Sequence, residues 1–140
     1  MNISIEQVGG GVPVTVMGLE GDLDAASYRE VIDQAKTLYQ SGVQNLLLDL
    51  SDVAYMASSG LVALHSVALI MRGQEPPDPE EGWGAFHAAA EEVAEESGHE
   101  RRFKLLCPQP RVLKTLQMTG FDRILAVYTA REEALAAFSG

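Results

Sequence analysis

The chain has 140 residues, 46% of them hydrophobic and 21% charged, with a formal net charge of −10. That length suits one core and is short for two, and the negative balance excludes a nucleic-acid binder, which needs a basic stripe to neutralise phosphates. A single cysteine, Cys107, closes no internal disulfide, and three scattered histidines offer no metal-ligand spacing.

The opening MNISIEQ reads at once as strand rather than as a signal sequence, and no apolar run approaches the roughly 18–20 residues of a membrane helix; a soluble, cytoplasmic protein is expected. Ile3 and Ile5 alternate with Ser4 and Glu6, predicting a half-buried edge strand. Gly9-Gly10-Gly11 then turns into a second alternating strand through Val12, Val14 and Val16, which completes a hairpin. Gly21-Asp22-Leu23-Asp24 reads as a loop. The helix after it has two candidate starts, Asp24 as N-cap or Ser27 with Glu30 as a capping box. Val31, Ile32, Ala35, Leu38 and Tyr39 form its apolar stripe, and Gly42 its stop.

Residues 45–72 hold the centre of the chain. Leu46, Leu47, Leu48 and Leu50 make an apolar run without the alternation of a half-exposed strand, which predicts a central strand buried on both faces. Ser51 and Asp52 bring turn chemistry, as does Asp49 at the strand end. Ala57-Ser58-Ser59-Gly60 then opens a helix with Leu61, Leu64, Ala68 and Met71 at helical spacing. Val62, Leu69 and Ile70 fall outside that stripe, so the helix has apolar surface for the sheet and for a second neighbour, either a helix or a partner. His65 within it reads as a packed or rim histidine. A serine at a helix start can cap unpaired N–H groups, and the helix N-terminus attracts negative charge, so this is a suitable place for a phosphate.

Residues 73–100 differ in composition, with nine acids and no Lys or Arg, while the remainder has eleven acids against ten bases. The acidity belongs to this one insertion. Its first part, QEPPDPEEGWG, reads as loop. Ala85 to Glu96 reads either as a short helix on the domain, with Phe86, Ala89, Ala90 and Val93 on one stripe, or as a segment that orders only with a partner. Trp83 and Phe86 read as an anchor onto the domain or an exposed hot spot, and Glu91 to Glu96 as a solvated face. Lengthening a loop from about 5 to about 28 residues costs only about 1.5 kcal/mol of closure entropy, so the insertion is compatible with a compact core.

Phe103 to Cys107 reads as a strand closed by Pro108, and Pro110 starts a helix with Val112, Leu113 and Leu116 that ends near Gly120. Ile124, Ala126 and Tyr128 alternate as a last strand. Thr129 with Glu132 forms a capping box for a final helix with Ala134, Leu135 and Phe138 inward. The order is ββαβα-insert-βαβα, which predicts one α/β domain over residues 1–140 with a mixed sheet of four to five strands and helices mainly on one face.

Several separated pieces now agree: Gly21-Asp22-Leu23-Asp24, Leu47-Leu48-Asp49-Leu50-Ser51, Tyr55-Met56-Ala57-Ser58-Ser59-Gly60-Leu61, Pro110-Arg111-Val112 with Leu116 and Gly120-Phe121, and Thr129 through Leu135. In this order, and over nearly the whole chain outside 73–100, they resemble a STAS domain, the fold of bacterial anti-sigma-factor antagonists and of sulfate-transporter tails. The resemblance implies a protein that binds an anti-sigma factor, usually a serine kinase, and so frees a sigma factor. Phosphorylation of the first serine of the pair breaks that contact. By position the acceptor is Ser58, with Ser59 the alternative, and the implied partner face comprises Asp22, Asp24, Ser58, Ser59, Gly60 and Leu61. The family's aspartate before the serine pair is Ala57 here. Ser58 as a plain N-cap stands beside this reading, as loop and cap roles do for Asp22 and Asp24.

Three functions follow. The first is the phosphorylation-switched antagonist. The second is an unphosphorylated scaffold or sensory module of the same fold that binds a protein, nucleotide or small ligand. The third is a serine hydrolase, but Gly-x-Ser-x-Gly is absent, two of the three histidines (His87, His99) lie in the insertion, and no Gly-x-x-x-x-Gly-Lys phosphate loop occurs. A non-enzymatic protein without cofactor or metal is expected, with a homodimer kept open as a further assembly.

Overall fold

The computed structural model describes residues 1–9, 11–76 and 100–138. Strands β1 (Asn2–Val8), β2 (Val14–Glu20), β3 (Leu46–Asp52), β4 (Phe103–Leu106) and β5 (Val127–Tyr128) form one sheet in that spatial order. β1 and β2 pair antiparallel, the hairpin expected of their alternation and glycine turn; the other three pairings are parallel. Parallel neighbours need crossover connections, supplied here by α1 (Tyr28–Gln40) after β2, α2 (Ser58–Met71) after β3 and α3 (Pro110–Thr119) after β4. A short α4 (Arg131–Ala137) follows β5. This is the expected α/β class and element order.

β3 is the middle strand, and its leucine run has a direct cause. Leu46, Leu48 and Leu50 join the core under α1, α2 and α3, with Met17, Leu105, Leu64, Val112 and Leu116. Leu47 lies on the opposite side with Val14, Val16, Leu106 and Ala134 of α4. Three helices cover one face and a two-turn helix the other, so apolar residues are favoured at successive positions. Each buried leucine contributes about 1.5–3 kcal/mol. The lighter face includes one charged group: buried Lys104 donates from Nζ to the Glu100 carbonyl (3.1 Å), and Nζ lies 5.2 Å from the Phe138 ring centroid. Desolvation lowers its pKa against the opposing influence of Glu100.

All but Ser58 and Leu69 of α2 are buried, and α1 packs beside it. The apolar breadth of α2 thus answers to burial around nearly its whole girth. His65 is buried with it, and desolvation first, then the charge of Arg72, holds the imidazole below its ordinary pKa of 6.5. The unfolded chain therefore takes up a proton near pH 6.5 that the folded chain resists, so stability is full above that pH and falls as pH drops below it. One such proton gives at most about 1.4 kcal/mol per pH unit. Urea midpoints are expected to fall between pH 7.5 and 5.5 in the wild type and to fall less in His65→Asn; parallel falls would contradict this assignment.

Several local expectations are corrected. Val12 lies outside β2, Ser51 and Asp52 extend β3, and Ile124 and Ala126 are buried ahead of a last strand of only two residues. Neither serine nor threonine forms the expected capping boxes. Ser27 is the N-cap of α1 without a side-chain cap bond: its Oγ donates to the Asp22 carbonyl (2.7 Å) and accepts from the Asp24 N–H (3.1 Å). The hydroxyl is turned back onto the loop. At α4 the N-cap is Ala130, not Thr129. Pro110 and Gly120 do bracket α3 as expected, Gly120 in the left-handed conformation at φ 80°.

At the root of the insertion, Arg72 Nε donates to Glu100 Oε2 at 2.5 Å, and the Glu100 N–H bonds the Ile124 carbonyl at 2.8 Å. The expectations for Trp83, Phe86, the helix over Ala85 to Glu96, His87 and His99 fall outside the described residues.

Candidate functional site

The loops that leave β2 and β3 are joined edge to edge. The Gly21 N–H bonds the Asp52 carbonyl (3.1 Å), the Leu23 N–H the Tyr55 carbonyl (2.9 Å), and the Ala57 N–H the Leu23 carbonyl (2.9 Å), giving a parallel bridge between Leu23 and Met56. Both bridge side chains are buried. A third loop is tied in by Gln109 Nε2, which donates to the Ser51 carbonyl at 2.8 Å. The site therefore stands at the carboxyl ends of the parallel strands, where open α/β sheets place their binding surfaces.

Gly60 makes this junction possible by its size. A Cβ there would lie 2.6 Å from Met56 Cγ, 3.0 Å from the Leu23 carbonyl oxygen and 3.1 Å from Leu23 Cγ. The first turn of α2 rests directly on the bridge. That contact fixes the direction in which Ser58 is presented.

The N-cap of α2 is Ala57, so Ser58 is the first helical residue and not a side-chain cap. Ser58 is exposed, and among the described residues no hydrogen bond engages its hydroxyl. Asp22 is exposed and Asp24 half-buried on the neighbouring loop, where Asp24 Oδ1 accepts from the Ala26 N–H at 3.0 Å. Ser59 (7% exposed), Gly60 and Leu61 point inward. Of the expected face, Asp22, Asp24 and Ser58 reach the surface, and the other three support it from beneath. Asp49 also acts locally, its Oδ1 accepting from the Ser51 N–H at 2.9 Å.

Tyr55 was not legible as a site residue. It is 46% exposed and stands three residues before Ser58 in the chain, so it adds exposed aromatic surface to the loop that leads into α2. A loop tyrosine has no periodicity to mark it as outward. The Leu23–Met56 bridge and the Gln109 tie escape sequence reading for a similar reason, because they join segments separated by tens of residues.

The electrostatics are those of a bare helix start. α2 has no acid in its first turn and no side-chain cap, so its positive end is uncompensated from within the helix. Among the described residues no hydrogen bond links Ser58 to a base, and the described histidine, His65, is buried inside α2. A hydrolase dyad is therefore not assembled in the described part of the chain. The same residues hold no cluster of metal-ligating side chains and no helix long and apolar enough to cross a membrane.

Residues 10–76 match the family model described as "Mlab, STAS domain". No curated protein matches in sequence. A Thermotoga maritima structure, described as a candidate anti-sigma factor antagonist, superposes with TM-score 0.71 at 17% identity over 99% of this chain and 95% of that one. An anti-sigma factor antagonist from Mycobacterium paratuberculosis gives 0.64 at 18% identity, covering 99% and 96%. The anti-sigma factor antagonist SpoIIAA in its unphosphorylated form gives 0.59 at 21%, covering 96% and 93%; the Bacillus protein is also known in a phosphorylated form. Identities this low speak for the fold alone. The chain therefore shares the fold of these solved structures, and its residues 10–76, 67 of 140, are similar to the STAS domain.

Proposed function

We propose that the chain is an anti-sigma-factor antagonist, a non-enzymatic cytoplasmic regulator that binds an anti-sigma factor of the serine-kinase type and frees a sigma factor. Asp22, Asp24, Tyr55 and Ser58 form its docking face, and Ser58 is its phosphorylation switch. The observation that carries this reading is the exposed Ser58 at the first position of α2, whose hydroxyl no hydrogen bond engages among the described residues. Its likeness in fold to proteins described as antagonists, one of them known in both phosphorylation states, supports it.

The physics separates fold from contact. A phosphate on Ser58 brings about −1.5 to −2 charges to a helix end whose dipole tolerates them. The domain itself is little disturbed. Any partner that covers Asp22 and Ser58 must then desolvate the added charge beside existing carboxylates, and the contact weakens.

Ser58→Asp is expected to leave the melting temperature equal or slightly higher, because an acid at a helix N-terminus contributes about 0.3–1 kcal/mol. It is expected to weaken partner binding by about tenfold or more. Thermal unfolding followed by circular dichroism measures the first, and a pull-down from the source cell with wild type and Ser58→Asp, followed by titration of the captured kinase-like protein, measures the second. Equal capture by the two forms would instead support the scaffold reading, which the replacement of the family's aspartate by Ala57 favours.

A further inference from the structure

The bases of this acidic chain are gathered in its last part. Residues 101–138 carry seven Arg and Lys against three acids, whereas residues 1–72 carry three against eight. Of the seven, Lys104 is buried and Arg131 pairs with Glu6. Arg101, Arg102, Arg111, Lys114 and Arg123 are exposed, and among the described residues their side chains make no ion pair or hydrogen bond.

α3 arranges part of this charge as a stripe. Val112 and Leu116 are buried against the core. Arg111, Lys114 and Met118, at i, i+3 and i+7, then share the outward side. Met118 is 77% exposed, more than any other large hydrophobic residue described. Beyond it, Gly120 turns the chain into the 3-10 turn Phe121–Arg123. Because the Glu100 N–H bonds the Ile124 carbonyl, Arg123 and Arg101 flank one junction at the far end of α3.

Unpaired bases around an exposed methionine select a particular chemistry. Arg and Met are enriched where protein surfaces dock, and the thioether adapts to irregular apolar partners. A long polyanion, such as duplex nucleic acid or an anionic bilayer, would span the whole molecule and meet its net −10. A short acidic segment lies within about one Debye length, roughly 8–10 Å, of the stripe and senses mainly the local positive field. We infer that the outer side of α3 with the following turn is a docking surface for a short acidic protein segment that carries an apolar residue among its carboxylates. None of the Ser58 site's residues lies on α3, so this surface stands or falls independently of the proposed switch.

Fluorescence anisotropy of the intact chain with a labelled synthetic peptide of Glu-Glu-Leu-Glu repeats tests it. Binding is expected at about 0.1 M salt, where the Debye length is about 10 Å, and weakens by about tenfold at about 0.5 M. Arg111→Glu combined with Lys114→Glu lowers the affinity by at least about tenfold, and Met118→Ser lowers it less. Lys36→Glu, a single charge reversal on the exposed side of α1, leaves it unchanged and is compared with Arg111→Glu alone. Should the double reversal unfold the domain by circular dichroism, Arg111→Gln with Lys114→Gln replaces it. No binding at about 0.1 M salt, an equal loss with Lys36→Glu, or tighter binding to phosphatidylglycerol vesicles than to the peptide would overturn the assignment.

Discussion

Phe103→Ala is expected to lower the unfolding free energy by about 3–5 kcal/mol. Phe103 is wholly buried, opens β4 opposite Leu46 of β3, and fills the core beneath the three-helix layer. β4 has only four residues and is held between β3 and β5, so the sheet cannot close over the missing ring. The loss then includes the lost transfer energy and the unfilled space. A domain of this kind has about 5–15 kcal/mol in total, so the variant sits close to unfolding at physiological temperature. Urea unfolding followed by circular dichroism measures the change, and a loss under about 1 kcal/mol would mean that the core repacks freely.

Gly60→Ala is expected to cost about 2–3 kcal/mol, at the upper end of overpacking penalties, and to weaken partner binding as well. Two of the three close contacts involve Leu23, whose carbonyl accepts the Ala57 N–H. Relief requires the α2 start to move away from the β2–α1 loop, which separates Ser58 from Asp22 and Asp24. Gly11→Ala is the control: nothing lies within 4 Å of a Cβ there, so a change within about 0.5 kcal/mol is expected. Paired urea titrations and binding measurements on both variants decide the matter. If Gly60→Ala loses stability and keeps full binding, the junction does not position the docking face.

The layered architecture was readable wherever burial repeats along the chain. The leucines of β3 announce a strand covered on both sides, and α2 announces its enclosure by apolar residues outside any single stripe. Ser58 was readable because a strand end, a turn and an apolar helix fix its place without tertiary information. The capping boxes at Ser27 and Thr129 failed because a short side chain near a helix start has competing backbone partners, and Ser27 binds the Asp22 carbonyl instead. Ser59, Gly60 and Leu61 stand beside Ser58 in the partner face that the resemblance implies, yet all three are buried, Gly60 directly against Leu23 and Met56. Tyr55 and Gln109 matter through contacts and exposure that only the assembled loops create.

The fastening of Arg72 to Glu100 bears on how this chain can vary. β4 finds its place through Phe103 opposite Leu46 and through Glu100, held at its carboxylate by Arg72 and at its N–H by the Ile124 carbonyl. Among the described residues, these contacts set the alignment of β4 on β3. Exchange of the sequence between Arg72 and Glu100 is therefore expected to leave the strand register unchanged.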